Sequence, residues 1–270
     1  MRFIAAFFTF LLRLTKNRKT ITIIKAGDKN MKIIFIRHGE PDNPNQTLTK
    51  KGFEEVRALA EYYKNESFDY VYFSPLPRAK LTAKAILDIK GQSGIEMPWL
   101  EEFHHHVIIP GDDKRVLNWD FKPTYITSQK DLYNDEKYLK TELMKSGNVK
   151  KYYDYVTDEF DKLLSEHGYK RDGKIYRVIV ENKKTIVIVC HLAVMSVLLS
   201  HLMGIPYVIL TQHFACAPSG VTTLVSEERE EGIAQFRCLR YGDITHLTIA
   251  GQKPSFHGRF CEVFHSDDRH

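Results

Sequence analysis

The sequence contains few cysteines, and they lack the spacing in which cysteines usually bind a metal or form a disulfide scaffold. Four occur among 270 residues with no CxxC pair, namely Cys190, Cys216, Cys238 and Cys261. A structural zinc site needs closely spaced pairs, and a small secreted scaffold needs a denser framework. We therefore expect no cysteine-based metal site. We also expect the protein to lie in a reducing compartment, the cytoplasm.

Long apolar runs are also missing after residue 30, where nothing resembles a transmembrane helix. The earlier stretch RFIAAFFTFLLRL has a basic start and an apolar run of about ten residues, close to a signal-peptide core and too short to span a bilayer. No small-x-small cleavage site follows it. Residues 1–30 therefore form an extension with three open interpretations: a membrane-surface anchor, an atypical signal, or a stretch upstream of a start at Met31.

A concentrated excess of positive charge is missing from the body of the chain. The formal charge is +5, and residues 1–30 hold seven Lys or Arg and one acidic residue, a net +6. The remaining residues therefore sum to −1. Because a nucleic-acid surface needs clustered basic side chains, we exclude nucleic acid as a partner. We expect contact with a membrane surface only through residues 1–30.

From Met31 onward, apolar segments of strand length alternate with segments of helical periodicity. Continuous β-branched apolar runs are typical of parallel strands that are covered on both faces. The predicted strands are 32–36, 68–74 and 185–190, with two late strands in 220–228 and 236–247, and the predicted helices begin at Thr49, at Pro77 and at Leu192. This alternation predicts one domain over 31–265, a three-layer α/β/α sandwich with a mostly parallel central sheet.

The pattern changes between about 103 and 172. Aromatic residues there are mixed with many charged ones, and helical spacing reappears in VKKYYDYVTDEFDKLLSEHG. We expect a helical insertion that lies over one edge of the sheet, not a second domain.

Three predicted strands end in polar or titratable residues on their C-terminal side. These residues are Arg37-His38-Gly39, then Ser74 with Arg78 in the following helix, and finally Cys190-His191. The carboxyl ends of parallel strands meet at one edge of a sheet, where ligands bind. Arginine forks suit phosphate oxygens, and a neutral histidine can attack phosphorus. The sequence therefore predicts an anion site with a candidate nucleophile.

The order and spacing of several motifs resemble the histidine phosphatase superfamily, the phosphoglycerate mutase-like group that carries an RHG motif. The motifs are IRHGE, LTKKG, SPLPRAKLTA, LEE and VCHLAVMSVLLSHLMGIP, and the similarity extends from about residue 32 to 250. RHG alone is a three-residue match, but the later motifs in the right order make the resemblance specific. It implies a metal-independent phosphomonoesterase that needs no cofactor and acts on a small phosphorylated metabolite.

The resemblance also implies a role for each matching residue. His38 is the implied nucleophile, which becomes phosphohistidine. The residues implied to bind phosphate are Arg37, Arg78 and His191, and His191 is implied to take part in catalysis as well. The acid/base carboxylate of the LEE motif falls on Glu102, with Glu101 as the second candidate because only the leucine fixes the register. The positive field of two Arg and two His implies that no metal is needed.

Two other functions stay open. A cofactor-dependent phosphoglycerate mutase-type phosphotransferase would return the phosphoryl group to a second hydroxyl. Such enzymes usually carry Ser or Thr after the glutamate of the first motif and Asn soon after, whereas this sequence has Pro41, with Asn43 and Asn45 on either side of the expected Asn. Pro41 therefore favours the phosphatase. A catalytically silent binding module is disfavoured because both arginines, both histidines and an acid are present.

Three consecutive histidines follow the acidic pair, in FHHHV at 103–107. Metal sites use His at i, i+2 or i, i+4 together with a carboxylate, so only His104 and His106 could share one face. A solvated loop or a substrate contact is favoured over a metal site at this position.

Overall fold

The structure is a computed structural model that describes residues 30–112, 114–258 and 261–267. The predicted anchor, signal or upstream stretch at 1–30 therefore lies outside the described residues, apart from Asn30. Within the described ranges, no helix combines the length and apolar character needed to cross a bilayer. Met31 is fully buried, and its backbone N–H donates to Ser226 Oγ at 3.1 Å.

An eight-stranded sheet forms the centre of the fold. The strands are β1 (Lys32–Arg37), β2 (Pro41–Asp42), β3 (Thr47–Leu48), β4 (Tyr70–Phe73), β5 (Ile95–Glu96), β6 (His106–Ile108), β7 (Arg115–Leu117), β8 (Tyr169–Asp172), β9 (Ile175–Val178), β10 (Thr185–Cys190), β11 (Val221–Glu230) and β12 (Ile233–Asp243). Eight of them pair in the order β5-β4-β10-β1-β11-β12-β9-β8, while β2 with β3 and β6 with β7 form separate two-stranded sheets.

The central sheet is parallel on one side and antiparallel on the other. Strands β5, β4, β10 and β1 pair in parallel. The pairs from β1 through β11, β12 and β9 to β8 are antiparallel. The short turn at Gly232, with φ of 71°, joins β11 directly to β12, and so short a connection allows antiparallel pairing alone. The predicted α/β class is confirmed, with a mixed sheet whose parallel half contains the predicted strand ends.

Helices connect the parallel strands, as predicted. They are α1 (Lys50–Tyr63), α2 (Pro77–Lys90), α3 (Pro123–Ser128), α4 (Glu142–Ser146), α5 (Val149–Glu166), α6 (Leu192–Met203), α7 (Tyr207–His213) and α8 (Thr245–Ile249), with 3₁₀ turns at Pro98–Leu100, Lys130–Tyr133 and Tyr138–Lys140. Thr49 caps α1, its hydroxyl accepting the Gly52 N–H at 3.0 Å. Gly204 ends α6 in the left-handed conformation that glycine adopts without strain.

The two faces of β1 bury two different cores. Ile34 and Ile36 belong to a cluster with residues of α1 and α2, whereas Ile33 and Phe35 belong to a larger cluster with residues of α5 and α6. The Phe35 ring lies 6.3 Å from the ring of Phe160 in α5, centroid to centroid. Successive side chains of β1 point to opposite faces of the sheet, and those on each face are apolar. Each face is therefore covered by a layer of helices, which gives the three layers.

The segment predicted as a helical insertion, about 103–172, divides into two parts. Residues 103–148 form short elements whose buried side chains join the larger cluster. Residues 149–172 belong to the main layers, because α5 packs on the sheet and β8 is its edge strand. The amphipathic spacing of α5 suits a helix that covers a sheet, so the insertion is shorter at its C-terminal end than predicted.

Candidate active site

The carboxyl ends of three parallel strands meet at one place, as the strand-end pattern predicts. Arg37 at the end of β1 stands in register with Cys190 at the end of β10. The His38 N–H donates to the Cys190 carbonyl at 3.0 Å, and the Ser74 N–H donates to the Val189 carbonyl at 3.0 Å. These backbone bonds hold the residues that follow β1, β4 and β10 next to one another.

His38 is held in one orientation by its neighbours. Its Nδ1 lies 2.7 Å from the Gly39 carbonyl oxygen. A carbonyl can only accept, so Nδ1 carries the proton and Nε2 presents its lone pair. Arg78 Nε donates to that lone pair at 3.2 Å. Burial, together with the charges of Arg37 and Arg78, lowers the pKa of His38 well below 6.5. The imidazole is therefore neutral and has its free nitrogen on the side of Arg78.

The Arg37 guanidinium is a buried cation held by backbone carbonyls. Its Nη1 donates to the carbonyl oxygens of Cys216 and Gly258, each at 2.6 Å. Its Nε is buried without a hydrogen-bond partner among the residues that the structure describes. Carbonyl dipoles orient a guanidinium without neutralising its charge. Arg37 thus supplies a positive field next to His38.

His191 lies beside His38 and is fully buried. The two ring centroids are 5.0 Å apart. His191 Nε2 is 2.7 Å from Ser74 Oγ, and within the described chain its Nδ1 has no hydrogen-bond partner. Burial first, then the electrostatic interaction with the neighbouring His38 and the charges of Arg78 and Arg37, lower the pKa of His191 well below 6.5. Two neutral imidazoles and two guanidiniums therefore surround one small region.

Of the two acidic candidates, Glu102 faces this region. Its Oε1 accepts three backbone N–H bonds, from Phe103 at 2.8 Å, Ala193 at 3.1 Å and Val194 at 3.2 Å. Ala193 and Val194 lie in the first turn of α6, where N–H groups and the helix dipole favour a carboxylate. Glu101 is exposed and ends the preceding 3₁₀ turn. The structure thus brings together Arg37, His38, Arg78, Glu102 and His191 and leaves Glu101 outside.

Several residues that hold the site were not predicted from the sequence. Thr82 Oγ1 accepts the Gly39 N–H at 3.0 Å and donates to the Arg78 carbonyl at 2.8 Å, so it links the histidine loop to α2. The threonine lies four residues after Arg78, a helical spacing that could have indicated this contact. Gly258 gave no such signal, because it lies more than 200 residues from Arg37.

The three histidines of FHHHV have different surroundings. His104 Nδ1 donates to the Glu102 carbonyl at 2.7 Å. The His105 ring stacks on Tyr152 with centroids 3.7 Å apart, and burial lowers its pKa to about 4. His106 begins β6 and is exposed. Among the described residues, no three His, Cys, Asp or Glu side chains are grouped in a way that could hold a metal ion.

The geometry defines what the region can do chemically. The two guanidinium groups favour an anion with several oxygens, and phosphate fits these donors. A neutral imidazole with a free Nε2 can form a bond to phosphorus. A carboxyl at the α6 terminus can exchange a proton with a nearby oxygen.

Part of the chain matches a known family in sequence. The family model of the histidine phosphatase superfamily (branch 1) matches residues 33–110, which include Arg37, His38, Arg78 and Glu102. A 2,3-bisphosphoglycerate-dependent phosphoglycerate mutase from Bartonella tribocorum is 37% identical over 83 residues, covering 29% of this chain. That match spans 38% of the mutase's own length.

Solved structures share the fold over most of the described chain. A phosphoserine phosphatase from Entamoeba histolytica in complex with phosphoserine has a TM-score of 0.51 and 22% identity, covering 80% of this chain and 99% of that one. A mycobacterial glucosyl-3-phosphoglycerate phosphatase has a TM-score of 0.52 and 16% identity, covering 79% and 99%. The sequence match and the shared fold agree with each other: residues 33–110 resemble the histidine phosphatase superfamily, and the chain has the fold of these phosphatases over most of its length.

Proposed function

We propose that the protein is a phosphomonoesterase that works through a phosphohistidine on His38. The observation that carries the proposal is the state of the His38 ring: Nδ1 is bound to the Gly39 carbonyl, and Nε2 faces Arg78 at 3.2 Å. A histidine that only filled space would not need its free nitrogen beside a guanidinium. The proposed location is the cytoplasm, which the widely spaced cysteines support.

In the proposed first step, the Nε2 lone pair of His38 attacks phosphorus while the bond from phosphorus to the ester oxygen breaks. Arg78 exchanges its bond to Nε2 for a phosphate oxygen, and Arg37 stabilises the negative charge with it. Protonated Glu102 gives its proton to the departing oxygen, so the alcohol leaves neutral. His191 donates to a phosphate oxygen through whichever ring nitrogen carries the proton.

In the proposed second step, water attacks the phosphohistidine. Ionised Glu102 takes a proton from the water, the phosphorus–nitrogen bond breaks, and inorganic phosphate leaves. His38 regains its lone pair, and Glu102 regains its proton. The cations of Arg37 and Arg78 supply the electrostatic stabilisation, so the proposal needs neither metal nor cofactor.

The proposed substrate is a small phosphorylated metabolite. A small organic phosphomonoester is supported by the similar proteins, which are a phosphoserine phosphatase, a glucosyl-3-phosphoglycerate phosphatase and a phosphoglycerate mutase. A phosphoglycerate mutase-type transfer is the alternative, favoured by the sequence match to the Bartonella mutase. It would differ only in the second step, where a substrate hydroxyl replaces water.

The experiment is a panel of small phosphomonoesters with 4-nitrophenyl phosphate as the reference, with and without chelator. We expect phosphate release that chelator leaves unchanged, loss of turnover in His38→Ala, and normal turnover in His213→Ala, a change at an exposed histidine of α7. Wild-type turnover in His38→Ala would contradict the mechanism. Phosphoryl transfer between phosphoglycerates without release of phosphate would support the mutase instead.

A further inference from the structure

A buried carboxyl outside the residues assigned above joins two distant parts of the chain. Glu55, in α1, has 0% exposure. Its Oε2 accepts the Glu40 N–H at 2.9 Å, and its Oε1 accepts the Ser255 N–H at 3.2 Å. Glu40 is two residues after His38, whereas Ser255 belongs to the segment that follows α8. Both oxygens of one side chain thus hold the histidine loop to the C-terminal segment.

The Glu40 carboxylate strengthens the same junction. Its Oε2 accepts the Thr49 hydroxyl at 2.6 Å, and its Oε1 accepts the hydroxyl of Ser255. Ser255, itself fully buried, therefore donates its N–H to one glutamate and its hydroxyl to the other. The two carboxyls and the serine form a closed network in which each donor has an acceptor.

Three residues after Ser255, the same segment reaches the phosphate-binding arginine. The Gly258 carbonyl accepts from Arg37 Nη1 at 2.6 Å. A Cβ atom at Gly258 would fall closer than 3.0 Å to Arg37 Nη2, and Gly258 has φ of 59°. The backbone at Gly258 is therefore packed directly against the guanidinium. No helix or strand covers this part of the chain, so the bonds made by Ser255 contribute to its position.

Burying the Glu55 carboxyl beside the partly exposed carboxyl of Glu40 opposes folding, so a gain in stability does not explain this network. Desolvation and the neighbouring Glu40 raise the pKa of Glu55 to about 7, against the backbone N–H bonds and the charge of Lys51, which lower it. An apolar side chain in α1 would avoid this cost. It could not hold the Glu40 and Ser255 N–H groups in fixed positions.

We propose that Glu55 is a positioning residue for the phosphate site: its carboxyl holds the C-terminal segment so that the Gly258 carbonyl orients the Arg37 guanidinium next to His38. This inference rests on the proposed function, because it takes Arg37 as a phosphate ligand. Glu55 itself contacts neither His38 nor the phosphate region, so its effect reaches the site through Ser255 and Gly258.

The test measures the affinity of the full chain for inorganic phosphate by calorimetry, together with KM and kcat on 4-nitrophenyl phosphate. Glu55→Gln keeps the shape but leaves one N–H without an acceptor, and we expect about tenfold weaker phosphate binding and a higher KM. Glu54→Gln, at the exposed neighbour, is the matched control and should bind as wild type. Ser255→Ala removes only the bond to Glu40, and we expect a loss of about threefold.

A double-mutant cycle tests the route through the segment. Gly258→Ala crowds Arg37 and should weaken phosphate binding on its own. If Glu55 acts through Gly258, the double variant Glu55→Gln/Gly258→Ala should bind phosphate as tightly as the single variant that has the lower phosphate affinity. If the fold-losses of phosphate affinity in the two single variants multiply in the double variant, Glu55 does not act through Gly258. Phosphate affinity within twofold of wild type in Glu55→Gln would overturn the whole proposal.

The remaining outcomes are also decisive. If Glu55→Gln does not fold, as judged by circular dichroism, Ser255→Ala decides. Weaker phosphate binding in that variant supports the positioning role of Glu55, and unchanged phosphate binding overturns it. A folded Glu55→Gln with lower melting temperature but normal phosphate affinity would reduce Glu55 to a structural role. A wild-type protein that binds phosphate without hydrolysing esters would contradict the proposed function alone, and the affinities would still judge Glu55.

Discussion

At the scale of single residues, the site depends on which nitrogen of His38 carries a proton. The Gly39 carbonyl fixes the proton on Nδ1, and burial together with two guanidiniums makes a second proton on Nε2 unfavourable. His38 thus stays a nucleophile in slightly acidic solution, where an exposed histidine would be half protonated.

The tautomer can be measured directly. In long-range proton–nitrogen NMR spectra at pH 6.5, the ordinary pKa of histidine, we expect His38 to show a protonated Nδ1 and a free Nε2. A His38 that gains its second proton at or above pH 6.5 would contradict the electrostatics of the site.

Glu102 and Glu101 offer a comparison within one dipeptide. Because Glu102 alone bonds to the N-terminus of α6, Glu102→Gln should lower kcat by about 10²–10⁴-fold, the usual share of acid–base catalysis. Glu101→Gln is the matched control and should stay near wild type. The loss should be smaller for 4-nitrophenyl phosphate, whose leaving group needs little protonation, than for an alkyl phosphate. Equal losses for both esters would point away from an acid role.

At the scale of elements, the loop after His38 lies against the start of α1 with almost no space between them. A Cβ at Gly52 would fall closer than 3.0 Å to the Glu40 carbonyl oxygen, and a Cβ at Gly39 would crowd Val56 and the Gly52 carbonyl. The glycine of the LTKKG motif thus sets how closely α1 approaches the histidine loop.

Gly52→Ala should push that loop outward. We expect it to lower the free energy of unfolding by about 1–3 kcal/mol, as for other overpacked sites, and to lower kcat/KM. Lys50→Ala, at an exposed position of the same helix, should stay within about 0.5 kcal/mol of wild type. Urea unfolding and initial rates measure both effects. A Gly52→Ala variant with wild-type rates would show that the close approach is dispensable.

Elements were predictable wherever local chemistry decides them. The run KIIFI, the cap at Thr49, Pro77 and Gly204 all gave elements close to those observed. The antiparallel half of the sheet was less predictable, because strand direction depends on which segments meet. The spacing of α5 predicts an insertion instead of a layer of the core, because helical spacing shows an apolar face but not the surface on which that face packs.

At the scale of the whole molecule, the protein buries several neutral histidines. The pKa is lowered, chiefly by burial, in His38, His105, His167, His191 and His246. Below pH 6.5 the unfolded chain binds protons that the folded chain does not, so stability falls as the pH falls. Glu55 acts in the opposite direction, because the folded chain holds its proton up to about pH 7 and the unfolded chain loses it near 4.5.

The free energy of unfolding should therefore decrease from pH 6.5 towards pH 4. His246, 2% exposed with a pKa of about 4, should contribute about 3 kcal/mol to this decrease. In Glu55→Gln the free energy of unfolding should decrease more steeply with falling pH, because this variant lacks the carboxyl whose raised pKa opposes the decrease. Urea titrations across this range provide the measurement, and a stability independent of pH would contradict the buried neutral histidines.

The whole molecule also explains which parts of the site were predictable. Arg37, His38, Arg78 and His191 follow strand ends, and parallel topology brings strand ends together. The supports at Ser255 and Gly258 come from a segment that returns to the site after the last helix. No local pattern indicates such a return, because it depends on the completed fold.

The most direct measurement is the detection of phosphohistidine during turnover. The protein is mixed with 4-nitrophenyl phosphate, quenched in alkali where a phosphorus–nitrogen bond survives, digested, and analysed by mass spectrometry. We expect one added phosphoryl group on His38, lost on acid treatment, absent in His38→Ala, and longer-lived in Glu102→Gln. Turnover without any phosphoryl group on His38, or with the group on another residue, would contradict the mechanism.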